Sequence, residues 1–504
     1  MSTGHDSSLF PLRLTPFEQY MLVDDRRSYP MAFFIEVDLS GDLYRDAFMS
    51  AMERALERHP LLTARVETSW RGWHWIDARI PPKVQWFVGD PQLPGPDDRS
   101  FDLRRESGVR LWGGIASGRA RVIFQFHHAV TDGVGAMQFI GDLLAYYGQA
   151  TCREGEETPE LAPIDPSQLR DRGQLWEPGH PHPQFARNLL WWIWNLAHVI
   201  PADVARRMTG RTAATAQGPA AAGKSPGPFV TRILESDDIA AIKHAAAAKG
   251  VTPNEVYIFA MCQTLERWNR ECGRNTRSEK YRVGVPVGLR THRHADSPAA
   301  NVLSYMFHTH GSRELSESDS ALQSIHALSQ HVLNGGDSGL VPWCLDWLRS
   351  IPGVLPLLVG SPIRFCTAML SNVSDVRRQL RCRFPLKRGR CVAGNVTLEG
   401  LLGAAPIRPG TYLGLSLGTY AKRLFINLNC DPRRFSTEDA SALADLFIEQ
   451  IRKQYVTETA SPTSHESAET RVHDSSPIPA PHFAIGSTSG SGRPRPSHAV
   501  ERRH

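Results

Sequence analysis

The stretch RVIFQFHHAVTDGVGAMQFIGDLLAYY, residues 121–147, constrains the fold more than any other part of the chain. An apolar run of strand character ends in two adjacent histidines, passes through a short turn and enters a segment with apolar residues at helical spacing. Alternation along a strand sends His127 and His128 to opposite faces, so only one of them can look into a given cleft. Asp132 and Gly133 follow, and glycine tolerates the tight backbone excursion that a strand-to-helix turn needs. Three readings of these residues stand side by side. In the first, His128 is a general base with a near-neutral pKa and Asp132 anchors the loop. In the second, His127, His128 and Asp132 bind a metal, which needs a further convergent ligand, and the remaining histidines are scattered. In the third, both imidazoles are packed and hydrogen-bonded core groups.

Around this unit the pattern is α/β throughout, because strand and helix signals interleave. MAFFIEVDLSG and RGWHWIDA read as strands, and LYRDAFMSAMERALERHP as a helix. A chain of 504 residues, 41% hydrophobic and 22% charged, suits two core-bearing units. Four segments are expected: a first lobe over 1–180, an interlobe helix and low-complexity connector over 181–228, a second lobe over 229–456 and a disordered Ser/Pro/Gly-rich tail over 457–504. The second lobe opens with a strand and a helix led by Ser236, stops at Gly250 and enters another helix through Thr252 and Pro253. The net charge of +5 is small for this length and excludes a global nucleic-acid footprint. Eight cysteines without a C-x-x-C pair read as reduced thiols of a cytosolic protein, and the N-terminus lacks a signal-peptide pattern. The apolar stretches 188–200 and 351–360 are too short to cross a bilayer. The first, with Trp191, Trp192 and Trp194, is a buried interlobe helix, a peripheral membrane contact or the lining of a lipid-binding groove.

The order H-H-x-x-x-D-G at His127, His128, Asp132 and Gly133 resembles the signature of the CoA-dependent acyltransferase superfamily, which includes chloramphenicol acetyltransferase, plant alcohol acyltransferases and peptide-synthetase condensation domains. LTPFEQYMLVDDRRSYPMAFFIEVDLSG, MERALERHPLLTARV, AAAAKGVTPNEV and VPVGLRTHRHADSPAANVLSYMF are similar, in the right order, to segments of its bacterial wax ester synthase/diacylglycerol acyltransferase branch. The resemblance implies an α/β fold of two chloramphenicol acetyltransferase-like lobes in pseudo-twofold arrangement with a tunnel between them. It further implies an O-acyltransferase that moves an acyl group from a thioester donor to an alcohol or amine acceptor without an acyl-enzyme. The donor would be acyl-CoA or the phosphopantetheine of an acyl carrier protein, with no permanently bound cofactor and no metal. His128 would be the base, and Asp132 would pair with an arginine, for which Arg290 is the candidate.

The branch usually carries S-N-V-P-G-P late in the chain. Here Ser371, Asn372 and Val373 are kept while Ser374, Asp375 and Val376 replace P-G-P. Ser371, Asn372 and Asn301 are candidates for the substrate tunnel or for donors to a developing oxyanion; a turn stabilised by Asn372 is the plain alternative. The basic run after them, with Arg377, Arg378 and Arg381, is a candidate contact for the thioester's phosphates or a carrier surface, against a merely solvated loop. Rival functions are a glycerolipid acyltransferase (His127 to Asp132 also spells H-x-x-x-x-D), a non-catalytic acyl-carrier or lipid binder, and a free-standing condensation enzyme.

Overall fold

A computed structural model of the chain describes residues 9–456 apart from 71, 95–98, 175–199, 206–228, 335–336 and 362–363. The tryptophan stretch, except Ile200, and the tail from 457 lie outside the described residues. Two large mixed sheets organise the chain, with a small three-stranded sheet beside them.

The strand Arg119–His127 is central in the seven-stranded sheet, paired antiparallel with Ala32–Ser40 on one side and Val109–Ala116 on the other. Those two neighbours pair its edges, while Ala120, Val122, Phe124 and Phe126 alternate onto one face and are buried there. Phe124 and Phe126 turn their ring edges to Phe139 of the helix Gly133–Thr151, at centroid separations of 6.1 and 6.0 Å. That helix is therefore clamped onto the strand that precedes it, and the intervening turn inherits the rigidity of both.

The six-stranded sheet holds Leu303–Gly311, Lys280–Gly288, Ala368–Asp375, Leu413–Tyr420, Arg423–Cys430 and Phe229–Leu234, in that order. The helices Ser236–Ala248, Pro253–Glu271 and Thr437–Val456 belong to this half. Gly250 has φ of +67°, the left-handed region that ends the first of these helices without a side-chain clash. Thr252 and Glu255 then form a reciprocal cap: Glu255 N donates to Thr252 Oγ1 at 3.4 Å and Thr252 N donates to Glu255 Oε2 at 2.7 Å. Thr252→Ala is expected to cost about 1 kcal/mol, seen as a lower urea midpoint with an unchanged slope.

One crossing ties the halves together. Val396–Ala404 follows the second sheet's strand Ala368–Asp375 in the chain, yet it pairs antiparallel with Ala32–Ser40 and so extends the first sheet. It carries Arg390–Ala393 and Leu386–Lys387 with it to that sheet's edge. The first sheet is thus built from both ends of the described chain, and the cleft between the sheets has walls from each.

Candidate functional site

His127 and His128 stand at the end of Arg119–His127 and part there, as alternation requires. His127 is buried. Its Nδ1 accepts from Ala129 N at 3.0 Å, so the ring proton sits on Nε2, which faces Asp25 Oδ2 at 3.6 Å. Phe101 covers its other side edge-on. His127 is therefore a packed group under the loop.

His128 turns the other way, into a largely apolar cavity of about 270 Å³ that both sheets line. Phe33 lies against its ring at a centroid separation of 5.0 Å. Asn301 Nδ2 donates to the His128 carbonyl oxygen at 2.6 Å and stands 3.3 Å from Nδ1. Burial pushes the imidazolium pKa down to about 4, against the raising pull of the Asp132 charge. At neutral pH the ring is uncharged.

Asp132 is buried and points away from the cavity. Oδ1 accepts from Gly135 N at 2.9 Å and from Arg290 Nη2 at 2.9 Å, while Oδ2 accepts from Arg290 Nη1 at 2.7 Å and Val302 N at 3.0 Å. One carboxylate thus caps the helix Gly133–Thr151 and receives a bidentate guanidinium from the opposite half. Burial opposes its ionisation, but the Arg290 charge and these hydrogen bonds outweigh it and hold the carboxyl below the usual range. Gly133, the first residue of the helix, lines the cavity beside His128.

Across the cavity stands Ala368–Asp375. Ser371 and Val373 line the space, and Val373 comes within 3.9 Å of the position a Cβ on Gly133 would take. Asn372 does not line it. Its Nδ2 donates to Asn254 Oδ1 at 3.0 Å and its Oδ1 accepts from Ser374 N at 2.8 Å, which supports Ser374 at a φ of +59°. Asn301 is spent on His128 and likewise does not line the cavity. Arg377, Arg378 and Arg381 stand outside it: Arg377 and Arg378 are exposed, and Arg381 lies 3.7 Å from Asp296.

A buried network that the sequence reading did not single out ties the helix to its surroundings. Asp142 accepts from Arg58 Nε at 2.6 Å and from Cys382 Sγ at 3.2 Å, and sits 3.2 Å from His59 Nε2, while His59 Nδ1 accepts from Ala299 N at 2.8 Å. Burial pushes the Cys382 thiol up to about 12, so this cysteine is an inert hydrogen-bond donor. The available signal was Asp142 itself, a carboxylate inside an otherwise apolar helix face.

Among the described residues, no group of three or more metal-ligating side chains converges. No described helix is long and apolar enough to cross a membrane.

Residues 109–257 match the family model of the wax ester synthase/diacylglycerol acyltransferase catalytic domain. An uncharacterised protein of Mycobacterium tuberculosis is 23% identical over 361 residues, which cover 68% of this chain and 77% of that protein. Among solved structures, trichothecene 15-O-acetyltransferase from Fusarium sporotrichioides shares the fold with a TM-score of 0.63 at 12% identity, covering 88% of this chain and 94% of that one. The starter condensation domain of rhizomide synthetase, solved with C8-CoA and a leucine thioester analogue, gives 0.57 at 15% identity, covering 90% and 96%. The architecture is accordingly the two-lobed condensation and acyltransferase fold.

Proposed function

We propose that this chain, whose residues 109–257 match the wax ester synthase/diacylglycerol acyltransferase catalytic-domain model and whose fold is that of condensation domains and acetyltransferases, is a CoA-dependent acyltransferase that transfers an acyl group from a thioester to an alcohol or amine with His128 as general base. The observation that carries this reading is the position of His128: an uncharged imidazole on the wall of a largely apolar cavity, facing Ser371 from the opposite half. A neutral hydroxyl or amine is a weak nucleophile. His128 Nε2 takes its proton as the oxygen or nitrogen attacks the thioester carbonyl, and returns that proton to the sulfur when the tetrahedral intermediate collapses. The C–S bond breaks, a C–O or C–N bond forms, and a free thiol leaves.

For Nε2 to hold a lone pair, Nδ1 must carry the ring proton. The residue's own carbonyl oxygen is the acceptor for it, shared with Asn301, whose short hydrogen bond to that oxygen fixes the ring's orientation. Negative charge on the tetrahedral oxygen would be met by the Ser371 hydroxyl and by the Gly133 N–H, one of the helix's unpaired first-turn donors. No acyl-enzyme is required. The apolar walls favour an aliphatic chain on donor or acceptor. The donor is acyl-CoA or a carrier-bound phosphopantetheine, with the exposed Arg377 and Arg378 and the nearby Arg381 as contacts for its phosphates.

Wild-type protein, offered a panel of acyl-CoA donors of different length with long-chain alcohols and amines, should release free thiol measurable with a thiol reagent and form the ester or amide seen by mass spectrometry. Absence of thiol release across that panel would favour a binder without turnover.

A further inference from the structure

The cavity wall is apolar except in a few places, and one of these is unusual. Arg408 lines the cavity with its side chain only 13% exposed and lies against Asp24, which is fully buried. Its Nε is 2.8 Å from Asp24 Oδ2 and its Nη2 donates to Asp24 Oδ1 at 3.2 Å. Tyr20 Oη donates to Asp24 Oδ2 at 3.2 Å, and Tyr20 and Tyr305 line the cavity beside them. The guanidinium lies 4.8 Å from the Phe365 ring centroid, so its face is covered by an aromatic wall.

A latch between the halves accounts for part of this group, because Asp24 and Arg408 come from opposite ends of the chain. It does not account for all of it. Apolar side chains would close the same wall without the desolvation cost of two charges. Arg408 Nη1 and Tyr305 Oη, moreover, have no hydrogen-bond partner among the described residues, although both belong to cavity-lining side chains. Neither is among the fully buried unpaired atoms, so both open onto the cavity, where an occupant displacing water from an apolar space must replace the hydrogen bonds it removes. The ion pair has already neutralised the guanidinium, so the complementary group is a neutral one that accepts from Arg408 and exchanges a hydrogen bond with Tyr305.

We propose that Tyr20, Tyr305 and the Asp24–Arg408 pair form a polar subsite within the apolar cavity that selects substrates carrying a hydroxyl group in addition to the reacting one. The inference rests on the acyl-transfer reading for its role, and the hydroxyl sits either on the donor's acyl chain or on the acceptor. Tyr305 and Arg408 are then specificity-determining residues that leave the chemistry to His128.

Two arms separate the sources. One compares an acyl-CoA with its hydroxyacyl counterpart at a fixed long-chain alkanol; the other compares that alkanol with the matching alkanediol at a fixed acyl-CoA. The hydroxylated partner should be preferred in one arm by about tenfold to a hundredfold in kcat/KM, the worth of a hydrogen bond to a charged group, and Tyr305→Phe should bring that ratio towards one. Tyr20→Phe, which frees Asp24 to draw Arg408 away, is a second mild variant and should lower the ratio in the same arm. A ratio near one in both arms, or a preference that neither variant changes, overturns the subsite. Calorimetric titration of wild type with the alkanol, the alkanediol, a fatty acid and its hydroxylated analogue separates the two failures. No thiol release together with tighter binding of a hydroxylated ligand sinks acyl transfer but keeps the subsite; turnover with equal binding and equal rates sinks the subsite alone.

Discussion

His128→Ala is expected to lower kcat/KM for thioester turnover by about 10² to 10⁴, the usual worth of a positioned general base, while the protein stays folded. The side chain lines a cavity and packs on Phe33, and its ring's polar contact with another residue is only Asn301 Nδ2, 3.3 Å from Nδ1. Its backbone contacts, His128 N to Met31 O and Asn301 Nδ2 to the His128 carbonyl, survive the truncation. A thiol-release assay beside a thermal melt checks both halves of the expectation, and equal rates for variant and wild type would remove His128 from the mechanism. The pH profile adds a second reading. Burial holds the imidazolium pKa at about 4 instead of the ordinary 6.5, so the base is already unprotonated throughout the neutral range. The acid limb of kcat/KM should therefore fall near pH 4 and leave the rate level through pH 6.5. Stability moves with the opposite partner: as pH drops from 6.5, the unfolded chain binds a proton on this residue while the folded chain does not until about 4. Folding is weakened across that window. His128→Ala should lose less stability than wild type between those pH values, and this difference isolates His128 from the other buried histidines.

What the sequence discloses about this site follows from how local each feature is. The strand, turn and helix of residues 119–151 are written in neighbouring residues, by period-two apolarity, an Asp-Gly turn and then helical spacing, and the structure has each where the pattern puts it. The divergence of His127 and His128 follows from the pleat alone. The pairing of Asp132 with Arg290, 158 residues away, has no local signature; only likeness to a family pointed to that arginine. Val396–Ala404 shows the limit from the other side. The sequence reading did not single it out as a strand, nothing local states which sheet it joins, and its partner is a strand more than 350 residues earlier. The polar group of Tyr20, Asp24 and Arg408 stayed hidden for the same reason: Asp24 reads as one charge in an acidic and basic cluster until folding places Arg408 over it. Asn372 illustrates a choice between two local readings, oxyanion donor or turn cap. Its amide is taken up by Asn254 and Ser374, and it turns from the cavity that Ser371 faces.

Asp132→Ala should reduce activity strongly under ordinary assay conditions, and the cause should be stability. Both carboxylate oxygens are committed: each accepts one Arg290 N–H and one backbone N–H, from Gly135 and Val302. No lone pair is left aimed at the cavity, which the side chain does not line. Truncation leaves the Arg290 guanidinium, only 22% exposed, without its counter-charge, uncaps the Gly133–Thr151 helix and loosens the loop that carries Asn301 to His128. The expected cost is about 3 to 5 kcal/mol, as for one partner removed from a buried pair, and a denaturant titration measures it. Arg290→Ala should cost a similar amount, and the double variant clearly less than the two together, because each single change already abolishes the shared interaction. The acid limb then distinguishes anchoring from chemistry. In Asp132→Asn, assayed well below its melting temperature, the limb should persist, since His128 still supplies it; the carboxylate's raising influence on that imidazole is lost, so the limb should move to lower pH. Were Asp132 itself the proton acceptor, the limb would vanish with the carboxylate and no lowering of temperature would restore the rate.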